Sequence, residues 1–187
     1  MYSAIAYGIG QVLVEIPYAL VQADIYGPIV YFMLKLELDA GKFFWFLYFL
    51  YFTVLFFTYY GMVAVGLTAN QQIASIVATL LYVFLNIFSG FLLPYSRIPV
   101  YWKWMYWCTL TSYTLIGSIT PQFEDIHNPL QSSGVNVTGV AVDQCMDDSF
   151  GFRTSLLPLA AVMMVVFPVL AASVFICAIA KLNFQRR

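Results

Sequence analysis

The chain has 187 residues, of which 62% are hydrophobic, 19% aromatic and 9% charged, with eight Lys and Arg against nine Asp and Glu for a net charge of −1. Soluble domains carry about 25% charged and roughly 45–50% apolar residues, so this composition cannot cover a folded surface in water and marks an integral membrane protein. The same arithmetic excludes a disordered chain and also nucleic acid as a partner, because a phosphate-binding face requires clustered Lys and Arg. The three cysteines, Cys108, Cys145 and Cys177, are too few and too dispersed for a disulfide scaffold or a zinc site.

The first stretch holds no basic residue before Lys35, and Gly8, Gly10 and Glu15 interrupt its apolar run, so it does not read as a cleavable signal peptide. A membrane-crossing helix needs about 20 mostly apolar residues, since in lipid every backbone group must pair within its own segment. Residues 12–34 are long enough, although Glu15, Pro17, Gln22, Asp24 and Pro28 break the pattern. Residues 43–96 contain no Asp, Glu, Lys, Arg or His. That is too long for one span, and the polar break from Gly66 to Gln72 divides it into spans at 43–65 and 73–94.

Residues 95–120 differ in character. Tyr101-Trp102-Lys103-Trp104-Met105-Tyr106-Trp107 places three Trp and two Tyr in seven positions. Such a run suits the headgroup layer, so the segment is expected to be interfacial or re-entrant. From 121 to 153 the composition turns to Asp, Asn, Ser, Gly and Gln, which predicts a long solvated loop. A final uncharged stretch gives a span at 156–180, followed by Lys181, Arg186 and Arg187. The expected fold is an all-α polytopic membrane protein with about four spans, one re-entrant segment and one long loop. Orientation is read in two ways. The sequon Asn136-Val137-Thr138 is a glycosylation acceptor only on an outside loop, and the basic tail agrees, whereas the other Lys and Arg favour the reverse.

Chemistry-bearing groups are sparse. No G-x-x-x-x-G-K-[ST] occurs, so nothing here cradles a nucleotide phosphate. His127 stands alone in the polar loop, and its acidic residues do not match a calcium loop, so neither a metal nor a catalytic residue is expected. Asp24 is the intramembrane acid that has to be accounted for, either on a substrate or proton path or paired across helices. The aromatic run from Phe43 to Phe57 fits helix packing and lipid contact better than a substrate wall. In the third span Thr79, Tyr82, Val83, Asn86 and Gly90 fall on one helical face, as a packing or cavity face would.

Met1-Tyr2-Ser3-Ala4, Val14-Glu15-Ile16-Pro17-Tyr18, Lys42-Phe43-Phe44-Trp45-Phe46, Phe57-Thr58-Tyr59-Tyr60-Gly61-Met62, Asn86-Ile87-Phe88-Ser89-Gly90-Phe91, Ile98-Pro99 and Leu182-Asn183-Phe184-Gln185 together resemble a known family. They are similar to the C-terminal part of the second, ABC-2 type transmembrane domain of full-size ABC transporters of the G subfamily, pleiotropic drug resistance type. The resemblance implies that Met1 is internal and that earlier spans and the nucleotide-binding domains, with their ATP and magnesium, lie upstream. It implies a cytoplasmic coupling helix over 1–11, including Tyr2, Ser3 and Tyr7, and it puts the 121–153 loop outside. It also implies that Thr79, Val83 and Asn86 line the substrate cavity, and that Phe91 and Leu92 form an apolar plug at the exit. Cys108 and Cys145 would then share the outer side, paired or unpaired.

The function expected on that resemblance is the permease portion of an ATP-driven exporter of hydrophobic or amphipathic compounds such as drugs, lipids or secondary metabolites, in the plasma membrane. Its partners would be membrane lipid, the other transmembrane half, the nucleotide-binding domains and the small-molecule cargo. This chain itself would not be an enzyme. The alternatives are an ion-coupled transporter or channel using Asp24, and a membrane anchor or assembly protein without transport.

Overall fold

A computed structural model describes residues 4–35, 39–68, 70–89, 99–123 and 157–181. Among these residues every regular element is helical. Helix α1 spans Ala4–Met33, α2 Ala40–Leu67 and α3 Gln71–Ile87. A 3-10 turn at Val100–Trp102 leads into α4, Lys103–Cys108, and α5, Leu110–Phe123, and the last helix, α6, is Leu157–Lys181.

Three of these, α1, α2 and α6, are long and apolar enough to cross a bilayer. The stretch expected as a span at 73–94 contains a helix of 17 residues. At 1.5 Å per residue that is about 25 Å, short of the roughly 30 Å hydrocarbon layer. The helix ends where the Ser89 N–H turns back to the Asn86 carbonyl at 3.2 Å and Phe88 leaves helical geometry. Residues 90–98, the rest of that expectation, lie outside the described residues.

Nearer the N-terminus, the described part of the expected 1–11 coupling helix runs straight on into the expected 12–34 span, as α1 is one helix from Ala4 to Met33. Gly8 and Gly10 each cost a helix about 1 kcal/mol, too little to break it. Gly8 also packs closely, because a methyl placed on it would lie 3.6 Å from Ile176. Pro17 and Pro28 sit within the same helix. In a membrane the carbonyls they leave unpaired can be satisfied by neighbouring helices. The helix ends at Lys35, whose φ of 50° is left-handed, and the Leu34 N–H still reaches the Val30 carbonyl at 3.0 Å.

Helix α2 is the centre of the bundle, packing on α1, α3, α5 and α6. Each seam carries one hydroxyl hydrogen bond. Tyr59 donates to the Val12 carbonyl of α1 at 2.9 Å, Tyr60 to Ala78 of α3 at 2.8 Å, and Tyr48 to Ala161 of α6 at 3.0 Å. Towards α5, the Thr53 and Thr114 hydroxyl oxygens share a bond at 2.9 Å. Where α1 meets α2, small residues on α1 let the backbones approach. Ala19 and Ala23 are 1% exposed, and a methyl placed on Gly27 would come within 3.3 Å of Leu50.

The expected re-entrant segment is α4 and α5. Thr109 separates them with an extended backbone, and its hydroxyl donates to the Met105 carbonyl at 2.9 Å. Helix α5 then lies against α2 and α6. Its residues Leu110, Tyr113 and Ile116 join Phe49, Ala160 and Met164 in the main core. The Phe49 ring, with no exposed surface, fills the place where a side chain at Gly117 would begin. Tyr101 and Trp104 remain exposed, as rings at a membrane–water boundary do. The aromatic run of α2 divides: Phe46, Phe49 and Tyr59 are buried packing residues, while Phe44 and Trp45 face outward. The 124–153 loop, with His127, Asn136, Cys145 and its acidic residues, lies outside the described residues.

Candidate transport face on the third helix

Helix α3 is held to the bundle along one line. Ala74 is buried against α2, the Ala78 carbonyl accepts from Tyr60, and the Tyr82 ring meets Phe57 edge-on at 5.3 Å. At its far end Trp102 stacks on Phe88 at 5.3 Å and tilts against Phe84 at 6.2 Å, which ties α3 to the turn before α4. The Ser112 hydroxyl adds a bond to the Phe88 carbonyl at 3.4 Å.

Thr79, Val83 and Asn86 lie on a neighbouring line, about 100° around the helix from Ala78. Val83 is 51% exposed, Thr79 is exposed and Asn86 half-buried. Their polar groups turn back onto the helix. The Thr79 hydroxyl donates to the Ser75 carbonyl at 2.7 Å, and the Asn86 amide to the Tyr82 carbonyl at 2.8 Å. Such back-bonding satisfies the Thr79 hydroxyl and one of the two Asn86 amide hydrogens locally. The face therefore presents a methyl, an isopropyl and a primary amide whose oxygen and second N–H remain able to bond, which suits contact with apolar molecules carrying a polar group of their own.

The other expected positions are scattered or undescribed. Asp24 is exposed on α1, and Glu15 is half-buried on the same helix. Tyr7 is 61% exposed near the start of α1, where its hydroxyl accepts from the Gln11 amide at 3.4 Å. Cys108 and Cys177 are exposed free thiols. Tyr2, Ser3, Gly90, Phe91, Leu92 and Asn136 lie outside the described residues, so the coupling end, the plug and the sequon have no geometry here. Among the described residues no group of His, Cys, Asp and Glu is placed to hold a metal.

Sequence reasoning missed the residues that fix the position of α3. In the sequence Tyr60 stands only within the family-like stretch Phe57 to Met62, and Trp102 only within the tryptophan cluster. The available signal was a hydroxyl-bearing ring within an otherwise apolar helix, whose O–H must find an acceptor in lipid.

Comparison with known proteins agrees with this architecture. Residues 1–123 match the family described as ABC-2 type transporter. Across all 187 residues the chain is 48% identical to ABC transporter G family member 36 of Oryza sativa subsp. indica, covering 12% of that protein. It is 46% identical to ABC transporter G family member 40 of Arabidopsis thaliana and 45% identical to pleiotropic drug resistance protein 1 of Nicotiana tabacum, covering 13% of each. The chain thus spans about one-eighth of these relatives. Apolar spans, the α4–α5 pair packed into their core and a family match over most of its length together define it: this multi-pass membrane chain belongs to the ABC-2 type transporter family.

Proposed function

We propose that these residues form part of the passage of an ATP-driven exporter of hydrophobic or amphipathic compounds, with α3 facing the cargo. The observation that carries the reading is the Thr79, Val83 and Asn86 line on α3, open, uncharged and with the Thr79 hydroxyl and one Asn86 N–H bonded back to the helix. Cargo leaving lipid for such a face loses little, because no charge has to be buried against it. Phe91 and Leu92 follow α3 in sequence and act, on this reading, as the apolar plug at the exit; greasy side chains stop water and ions yet part for a greasy molecule. The family and the names of the relatives, ABC transporters of the G family and a pleiotropic drug resistance protein, support the ATP-driven mode and the cargo class.

The 187 residues have no phosphate-cradling loop and do not fit ATP and magnesium, so on this reading energy enters through nucleotide-binding domains elsewhere in the transporter. What this chain does is bind, orient and release. Tyr2, Ser3 and Tyr7 would receive the push at the start of α1, in a plasma-membrane protein whose partners are lipid, the second transmembrane half and those domains.

The test uses the full-length transporter carrying this segment, in inside-out vesicles with a fluorescent hydrophobic amine. ATP should drive its accumulation, and a non-hydrolysable analogue should not. Val83→Trp should fill the face and lower accumulation about tenfold, as loss of two methylene contacts would. ATP-independent uptake would refute the coupling, and unchanged transport by Val83→Trp would refute the placement of cargo on α3.

A further inference from the structure

Helix α3 is carried by two different parts of the molecule. Ala74, Ala78 and Tyr82 recur every fourth residue and meet α2, through close packing, the Tyr60 hydroxyl at 2.8 Å and the Phe57 ring at 5.3 Å. Phe84 lies about 160° around the helix from Tyr82 and meets Trp102 instead. One turn on, Phe88 is gripped twice. Its ring lies 5.3 Å from the Trp102 ring with 10° between the planes, and its carbonyl accepts from the Ser112 hydroxyl at 3.4 Å. The first half of α3 is thus held by α2, and its last turn by the 3-10 turn and α5.

The second hold follows from how helices end. The last carbonyls of a helix have no partner within it and carry a partial negative charge, whereas the first turn of a helix carries a partial positive one. Ser112 is the third residue of α5, with its own N–H on the Thr109 carbonyl at 3.2 Å, so the start of α5 caps the end of α3. Ser112 and Thr109 are buried, and Trp102 is fixed by its N–H on the Pro99 carbonyl at 2.9 Å. Helix α5 has its own seat: Thr114 shares a bond with Thr53 of α2 at 2.9 Å, and Leu110, Tyr113 and Ile116 belong to the main core. A shift of α5 against α2 therefore moves the Phe88 end of α3 while the Ala78 end stays with α2. Thr79 follows Ala78 directly and Asn86 comes two residues before Phe88, so the two ends of the cargo-facing line answer to different supports.

We propose that the α4–α5 pair sets the position of the Asn86 end of the cargo face, with Trp102 and Ser112 as positioning residues that act through Phe88. What the face binds rests on the exporter reading, whereas the hold on Phe88 does not. Trp102 and Ser112 fix the last turn of α3, from which the Asn86 amide is presented. Through them a displacement of α5 becomes a change in the cargo face.

The test uses the full-length transporter in nanodiscs without ATP. It reads amide hydrogen exchange by peptide mass spectrometry, together with binding of the fluorescent hydrophobic amine. Trp102→Ala should raise exchange over residues 84–89 about tenfold and leave residues 72–80 unchanged. Ser112→Ala should raise it about threefold over the same residues. Trp102→Phe, which keeps a ring to stack on Phe88, should stay near the parent, and Tyr60→Phe should raise exchange over 72–80 alone. Affinity for the amine should fall about tenfold in Trp102→Ala and recover in Trp102→Phe. Unchanged exchange over 84–89 in Trp102→Ala, or an equal rise over 72–80, would overturn the proposal. So would unchanged amine affinity alongside a rise confined to 84–89. A parent that binds no amine would instead refute the exporter reading, and the exchange pattern would still decide whether α5 and the 3-10 turn hold the end of α3.

Discussion

Gly117→Ala is the most direct test of how α5 is seated. Placed on α5, the new methyl would overlap Cζ, Cε1 and Cε2 of Phe49, the whole leading edge of the ring. The ring has nowhere to retreat. It is stacked under Trp45 at 5.7 Å, met edge-on by Tyr48 at 5.5 Å, and enclosed by Leu110, Tyr113, Ile116, Ala160 and Met164. Overpacking of this kind costs about 1–3 kcal/mol, and so deep an overlap belongs at the upper end. Against it stands the helix preference of alanine over glycine, about 1 kcal/mol. The net is a loss of about 2 kcal/mol. It can be read as the fraction of transporter that stays monodisperse after heating in detergent. Phe49→Leu in the same background should recover part of the loss, giving a coupling of at least about 1 kcal/mol in a double-mutant cycle. A Gly117→Ala transporter as stable as the parent, or more stable, would show that α5 is not seated on Phe49.

The remaining predictions concern other seams. Tyr48→Phe, Tyr59→Phe and Tyr60→Phe each remove one interhelical bond and should cost about 0.6 kcal/mol apiece by the same heating assay, with about 1.7 kcal/mol as a ceiling; no loss in any of the three would mean that lipid or water replaces the bonds freely. Lys35→Gly relieves a left-handed backbone at the end of α1 and should stabilise by about 1 kcal/mol; a loss would show that the lysine side chain matters more than the backbone. A variant keeping Trp104 as its one tryptophan should be quenched best by lipids brominated near the headgroup, and best quenching by mid-chain bromine would place α4 in the hydrocarbon instead.

Much of this architecture was readable in the residues because lipid imposes few choices. A charge-free stretch from 43 to 96 must be helical where it crosses, and the break at Gly66–Gln72 coincides with the gap between α2 and α3. Where the reading differed, local signals lost to packing or were too weak. The coupling helix at 1–11 and the span at 12–34 were expected as separate elements, yet Gly8 sits against Ile176 and the helix runs on from Ala4 to Met33. The apolar run to Leu93 suggested a helix reaching 94, but α3 ends at Ile87, just before Ser89 and Gly90. The exposure of Thr79 and Val83 and the back-bonding of Asn86 were not predictable from spacing, which places residues on one face without saying what that face meets. The Phe49–Gly117 contact pairs residues far apart in sequence, and no periodicity reports such a meeting.

The tyrosines of α2 have one more consequence. Each donates to a main-chain carbonyl, at Val12, Ala78 or Ala161, and every residue offers that acceptor whatever its side chain. The specificity of these seams is therefore one-sided, since changing the acceptor residue leaves the bond intact and changing the tyrosine abolishes it. Carbonyls on one helical face recur each turn, about 5.4 Å along the axis. A helix that slides along α2 by one turn brings the next carbonyl under the same hydroxyl, so these bonds act as a ratchet that tolerates stepping along the axis while resisting separation.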